Sequence, residues 1–168
     1  IEILAEKGDP KKYVLPKPIF NKGGCNLSFA GLKTAVLKIT KIIKTEQEKF
    51  DLAASFQKTV EEIINKKTKI AFTEFERQNK LQEKIFVVAG GVAANKKIRS
   101  MLINLCKENN YKSIFPPIEF CGDNAAMIAM VGLEKFKLKH FNELDYPAKP
   151  RWSLDEKAVF LKGAGVVL

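Results

Sequence analysis

The chain is poor in the residues on which most hydrolytic and metal chemistry is built. It has one histidine, His140, in the charged stretch "FKLKHF" with no acidic residue at ligand spacing, so His140 reads as a surface residue. There is no H-E-x-x-H, no P-loop and no G-x-S-x-G, which leaves zincin-type proteolysis, Walker-type nucleotide binding and nucleophile-elbow chemistry without support. The three cysteines, Cys25, Cys106 and Cys121, are far apart, odd in number and form no C-x-x-C pair. That argues against a disulfide framework or a zinc knuckle and fits a reducing compartment. No leader pattern and no apolar run long enough to span a bilayer is present, so the expectation is a soluble, cytoplasmic protein with no membrane partner. An initiating methionine is also lacking. The opening "IEILAEKGDP" reads as the tail of a helix that stops near Gly8 and Pro10, which predicts a fragment, a processed product or a split gene.

What is there describes a globular α/β protein. The 168 residues are 46% hydrophobic, and twelve Phe against three Tyr and one Trp supply much of the core volume. The formal net charge of +10 suits polyanions such as RNA or nucleotide phosphates, and suits equally a genome that favours lysine.

Along the chain, "YVLPKPIFNKGGCNLSF" alternates apolar residues between two prolines and a Gly-Gly, and reads as extended structure with a turn at Asn21 to Gly24. Ser28 precedes a helical pattern with Leu32, Ala35, Val36, Ile39, Ile42 and Ile43 on one face. A second helix is predicted from near Phe50 through Ile70 and Phe75, with Glu61, Glu62, Lys66 and Lys67 as a solvated, paired face. The run Ile85 to Ala89 reads as a strand buried on both faces, and is followed by Gly90, Gly91 and a helix carrying Ile98, Met101, Leu102 and Leu105. Tyr111 to Phe115 is a second strand, and a last helix begins near Asp123. Strand, helix, strand, helix is an α/β unit with right-handed crossovers, yet two strands are few for a complete sheet. Phe141 to Trp152 is a proline-marked loop, and the apolar end "VFLKGAGVVL" has no functional reading.

Three places could carry chemistry. Gly90 and Gly91 follow a buried parallel strand at its carboxyl end, the edge at which open α/β sheets bind ligands, and Asn95 stands at the start of a helix whose N–H groups would be open to an anion. On pattern alone a tight strand-to-helix turn capped by Asn95 is the commoner reading. Asp123 before the last helix reads first as an N-cap and second as a metal ligand. Lys33 could meet a phosphate, but reads as an exposed helix lysine.

Several motifs occur in order: "SFAGLKTAV" (Ser28 to Val36), "DLAASFQKTV" (Asp51 to Val60), "VVAGGVAANKKIR" (Val87 to Arg99), "CGDNAAMIA" (Cys121 to Ala129) and "PAKPRWSL" (Pro147 to Leu154). Together they resemble the tRNA N6-adenosine threonylcarbamoyltransferases, once labelled O-sialoglycoprotein endopeptidases or glycoproteases, over almost the whole chain. The resemblance implies an actin/hexokinase/Hsp70-like (ribonuclease H-like) fold, of which residues 1–154 would be the second lobe, incomplete without the first, and 155–168 a tail. It implies that Gly90, Gly91 and Asn95 bind an ATP-type nucleotide or threonylcarbamoyl-adenylate, and that Asp123 is one ligand of an active-site Fe(2+) or Zn(2+). The implied activity is an acyltransferase-type reaction that moves a threonylcarbamoyl group to N6 of the adenosine next to the anticodon. The implied partners are tRNA, the other subunits of the threonylcarbamoylation machinery and a missing amino-terminal half. Departures exist: Ala30 stands where the family usually has Ser, Gly122 where Thr is common, and the family's pair of metal-binding histidines is not in this chain. The chain is therefore expected to be inactive alone. The alternatives are a non-enzymatic interaction module, docking through a helix such as Ser28 to Lys44, and the historical metalloendopeptidase label.

Overall fold

A computed structural model describes residues 1–79 and 83–148. The elements run α1 (Glu2–Ala5), α2 (Ala30–Thr40), α3 (Glu46–Gln78), β1 (Ile85–Val87), α4 (Lys96–Glu108), β2 (Lys112–Ile114) and α5 (Ala125–Lys137), with 3-10 turns at Gly91–Ala94 and Ile118–Phe120. They fall into two compact units that divide between Gly122 and Asp123. The boundary expected at residue 154 lies outside the described residues.

In the first unit α3 is the spine. Its 33 residues form one helix, as the apolar repeat from Phe50 through Phe75 requires. It starts earlier than that repeat because Thr45 and Glu48 close a capping box: the Thr45 hydroxyl accepts from the Glu48 N–H (3.2 Å), and the Glu48 carboxylate accepts from the Thr45 N–H (2.9 Å). The Lys44 N–H (2.8 Å) and then the Thr45 N–H and hydroxyl donate to the Glu48 carboxylate and hold it below its ordinary pKa.

Two apolar clusters form along α3. Leu15, Leu32, Leu52 and Ile63 pack with Ala35, Val36 and Ile39, which pins the apolar face of α2. Farther along, Phe72, Ile98, Leu102, Leu105, Cys106 and Tyr111 pack α4 and the sheet onto α3, with the rings of Phe72 and Tyr111 stacked at 3.8 Å. Truncating a side chain as enclosed as Leu32 or Ile63 costs about 2–5 kcal/mol. Gly8 sets the approach of α1 to α3, since a Cβ there would meet the Phe50 carbonyl oxygen at 2.0 Å.

The sheet is α/β in kind, two parallel strands with Ile85 opposite Lys112 and Val87 opposite Ile114. β1 is not buried on both faces: Phe86 packs onto the α3–α4 core, while Ile85 and Val87 on the opposite face are 43% and 63% exposed, as is Ile114 opposite Val87 on β2. Residues 13–29 are irregular rather than strand-like. Their turn lies at Pro18 to Asn21, where the Phe20 N–H reaches the Lys17 carbonyl (3.2 Å) and the Lys22 N–H the Ile19 carbonyl (3.1 Å). The prolines withhold the N–H groups a ladder would need.

The expected solvated face of α3 is also corrected. Lys67 is buried, with Nζ donating to the carbonyls of Lys22 (2.7 Å) and Gly24 (3.2 Å). Lys66 donates to Asn21 Oδ1 (2.8 Å), and Glu62 pairs with Lys17. The charges therefore fasten the 17–24 loop onto α3 instead of pairing along the helix.

The second unit begins at Asp123 and holds α5. Its apolar residues, among them Met127, Met130, Leu133 and Phe136, are exposed. No described helix is long and apolar enough to cross a membrane.

Candidate ligand site

The carboxyl ends of the two parallel strands converge on one short stretch of backbone. After β1, the Val88 N–H donates to the Ile114 carbonyl (3.0 Å), and the chain turns at Gly90. Gly90 has φ +89° and ψ 168°, a conformation open essentially to glycine alone. Its carbonyl accepts from the Ala93 N–H (2.9 Å), which tightens Gly91–Ala94 into a 3-10 turn. A Cβ at Gly90 or Gly91 would meet nothing within 4 Å, so both look onto open space.

Asn95 ends this turn and begins α4. Its Oδ1 accepts from the Ile98 N–H (2.9 Å), and its Nδ2 donates to Gln57 Oε1 on α3 (2.9 Å). The capping reading of Asn95 is thus correct, and the carboxamide is oriented from two sides while its second N–H and second lone pair stay available. The amino end of α4 is less open than the sequence predicts. Glu2 Oε1 accepts from the Lys96 N–H at 2.6 Å, so the first and third N–H groups of the helix are both taken by side chains.

Arg99 ties the turn to the sheet edge. Its Nε donates to the Ala93 carbonyl (3.0 Å), its Nη2 to the Pro116 carbonyl (3.0 Å), and its guanidinium lies over the Phe115 ring at 4.7 Å. A single side chain thereby spans the segments that leave β1 and β2.

Behind Asn95, α1, α3 and α4 line an open cleft of about 610 Å³. Glu2, Gln57, Lys58, Glu61, Lys97 and Ser100 line it. Glu2 and Gln57 connect this cleft to the Gly90–Asn95 turn through the bonds just described, whereas Gly90, Gly91 and Asn95 are not part of its lining. Burial pushes the Glu61 carboxyl above its ordinary pKa, Lys97 pulls it back, and Glu62 adds to the rise. The volume admits a small-molecule ligand, and the mixed amide, carboxylate and ammonium lining suits hydrogen bonding to a polar one.

Sequence reasoning singled out neither Glu2, Gln57 nor Arg99 by role. Glu2 and Gln57 bond partners 94 and 38 positions away, and Arg99 joins Ala93, six residues back, to Pro116, 17 residues on, so no local spacing could show the three roles.

Asp123 is not the cap of the last helix. Asn124, one residue later, takes an extended conformation, and its Oδ1 accepts from the Met127 N–H (3.0 Å). The Asp123 carboxylate is exposed and belongs to the second unit. Among the described residues no group of three or more His, Cys, Asp and Glu side chains could hold a metal ion. One carboxylate does not make a metal site, so these residues do not fit a resident metal by themselves.

A profile of the tRNA N6-adenosine threonylcarbamoyltransferase family matches residues 1–130. A protein of that name from Pelagibacter ubique is 75% identical over 168 residues, all of this chain and 47% of the relative. One from Rickettsia rickettsii is 46% identical over 159 residues, which is 93% of this chain and 46% of the relative. One from Rickettsia bellii is 45% identical over 158 residues. The chain spans about half the length of the curated relatives it matches.

Proposed function

The chain belongs to the tRNA N6-adenosine threonylcarbamoyltransferase family, and we propose that it supplies the adenosine-binding side of that enzyme's active site, as the second lobe of an actin-like fold. The observation that carries this reading is the Asn95 carboxamide. It stands at the carboxyl edge of a parallel sheet, between an open glycine turn and an open polar cleft, held by Gln57 and the Ile98 N–H.

In this reading the ligand's adenosine and phosphate lie along Gly90, Gly91 and Asn95 and reach toward the Glu2–Gln57 cleft. Gly91 lets the ligand approach the backbone without a Cβ in the way. Asn95 fixes its orientation with the free N–H and lone pair. The reaction is a group transfer from threonylcarbamoyl-adenylate to N6 of the adenosine next to the anticodon. The N6 amine forms a bond to the carbamoyl carbon, the bond from that carbon to the phosphate oxygen breaks, AMP leaves, and the amine gives up one proton. Orientation of adenylate against amine is what this chain contributes, and orientation is a large part of any acyl transfer. Asp123 is proposed as one oxygen ligand of a metal site completed by residues outside this sequence. tRNA and the other subunits of the threonylcarbamoylation machinery are the proposed partners, in the cytoplasm.

Calorimetric titration with ATP tests the reading, on an enzyme in which this chain replaces the matching part of the Pelagibacter ubique relative. The expected result is saturable binding that Asn95→Ser weakens at least about tenfold. Binding unchanged in that variant would remove Asn95 from the site.

A further inference from the structure

The positive charge of this chain is concentrated in one segment. From Pro10 to Thr45 no Asp or Glu occurs, while eight lysines do. The remainder has 21 basic against 19 acidic residues, so this stretch of under a quarter of the chain carries eight of the +10 net charge. A genome-wide taste for lysine would spread its excess evenly, and this excess is local.

The fold turns the segment into a surface. All eight lysines are exposed, and Lys17, bonded to Glu62, is the one among them in a salt bridge within the described residues. On α2 the packing decides which way the charge points. Leu32, Ala35, Val36 and Ile39 face the core. At about 100° per residue, Lys33, Lys38 and the position of Lys41 just past the helix end fall on the opposite side, around exposed Leu37. Lys22 and Lys44, both exposed, lie in the segments that flank the helix. Like charges gathered on one face cost folding energy by mutual repulsion, and a polyanion relieves it.

We propose that the outer face of α2, centred on Lys33, Lys38 and Lys41, docks the phosphate backbone of the tRNA substrate. This rests on the reading of the chain as part of a tRNA-modifying enzyme and adds where the RNA lies. Three flexible ammonium groups without bidentate geometry suit phosphates rather than base edges, so the contact positions the RNA and carries no sequence preference.

The test uses the same chimaeric enzyme and a transcribed tRNA in which an adenosine follows the anticodon. The triple variant Lys33→Gln/Lys38→Gln/Lys41→Gln is compared with a control triple of equal charge change, Lys69→Gln/Lys107→Gln/Lys112→Gln, whose lysines are also exposed. The expected result for the first triple alone is tRNA affinity at least about tenfold weaker near 0.15 M salt, with the slope of log K against log salt shallower by about two to three. Its KM for tRNA rises, kcat and ATP affinity stay the same, and circular dichroism matches the parent. Equal losses in both triples would mean diffuse charge and overturn the proposal. Competition by polyglutamate as strong as by RNA of equal charge would assign the face to an acidic protein and overturn it too. An active chimaera whose first triple binds tRNA normally overturns the docking site and leaves the enzymatic reading standing. A folded chimaera that binds no tRNA overturns both.

Discussion

Gln57 on α3 accepts a hydrogen bond from Asn95 at the start of α4, Nδ2 to Oε1 at 2.9 Å, across 38 residues of sequence. The same carboxamide caps α4 through Ile98, so one side chain joins the long helix, the glycine turn and the helix that follows. Structural and ligand roles of Asn95 can be separated. Asn95→Ser keeps a good N-cap but loses the bond to Gln57, at a cost of about 1 kcal/mol, whereas Asn95→Ala loses both, at about 1–3 kcal/mol. Gln57→Ala removes the same bond while leaving the Asn95 carboxamide in place. The expectation is that Asn95→Ser and Gln57→Ala melt alike, that Gln57→Ala weakens ATP binding several-fold, and that Asn95→Ser weakens it further; equal affinities in the two variants would confine Asn95 to its structural bonds.

The two glycines predict opposite phenotypes. Gly90 needs its φ of +89°, so Gly90→Ala strains the turn by about 1–3 kcal/mol and lowers the melting temperature. Gly91 has open space around it, so Gly91→Ala leaves stability within about 0.5 kcal/mol. Its added methyl group would stand where the ligand approaches, and ATP affinity falls. A Gly91→Ala variant with full affinity would show that the ligand does not lie against the turn.

Arg99 acts through the carbonyls it holds. Arg99→Lys cannot reproduce the fork to Ala93 and Pro116 or the contact with Phe115, and is expected to destabilise the chain by about 1–3 kcal/mol. It should also raise the ATP dissociation constant, because the glycine turn loses its anchor to the sheet edge. The check is thermal melting beside calorimetry. A melting temperature that falls with affinity unchanged would confine Arg99 to a stabilising role.

The docking of the amino-terminal segment is predicted to be acid-sensitive. The Asp51 carboxylate is held below its ordinary pKa, first by the Asp9 N–H (2.8 Å) and then by the Gln47 amide (2.8 Å). A carboxylate with a depressed folded-state pKa stabilises fully above the unfolded value of about 3.9, and that stability is lost as pH falls through the folded one. Asp51→Asn should therefore melt lower than the parent at pH 7, and the gap should narrow steadily as the pH is taken below about 4. A gap independent of pH would mean that the charge at Asp51 contributes nothing.

Much of this was legible in the sequence where the signal is periodic. The long helix around Phe56, Ile63 and Phe75, the apolar stripe of α4 and the two parallel strands all follow from spacing. The Thr45–Glu48 capping box was also written there, as a Ser/Thr followed three residues later by Glu, but the apolar repeat drew the start to Phe50. Burial was the weaker reading. Lys67 looks solvated in any window, and its buried state depends on carbonyls 43 and 45 residues away. The cap of α5 fell to Asn124 rather than Asp123 because both residue types cap well and backbone geometry chose between neighbours. Gly90, Gly91 and Asn95 were found as a motif. Glu2 and Gln57, which hold that motif, meet it only in three dimensions, and so does the Pro116 carbonyl to which Arg99 ties it.

The most direct measurement is of product. The chimaeric enzyme, with its partner subunits and threonylcarbamoyl-adenylate supplied, is incubated with unmodified tRNA, and the nucleosides are analysed by mass spectrometry. The account predicts threonylcarbamoyladenosine from the chimaera, a loss of at least about tenfold in Asn95→Ser, and none from the 168-residue chain alone. A folded chimaera that binds tRNA and makes no modified nucleoside, or one whose Asn95→Ser variant works at full rate, would contradict it.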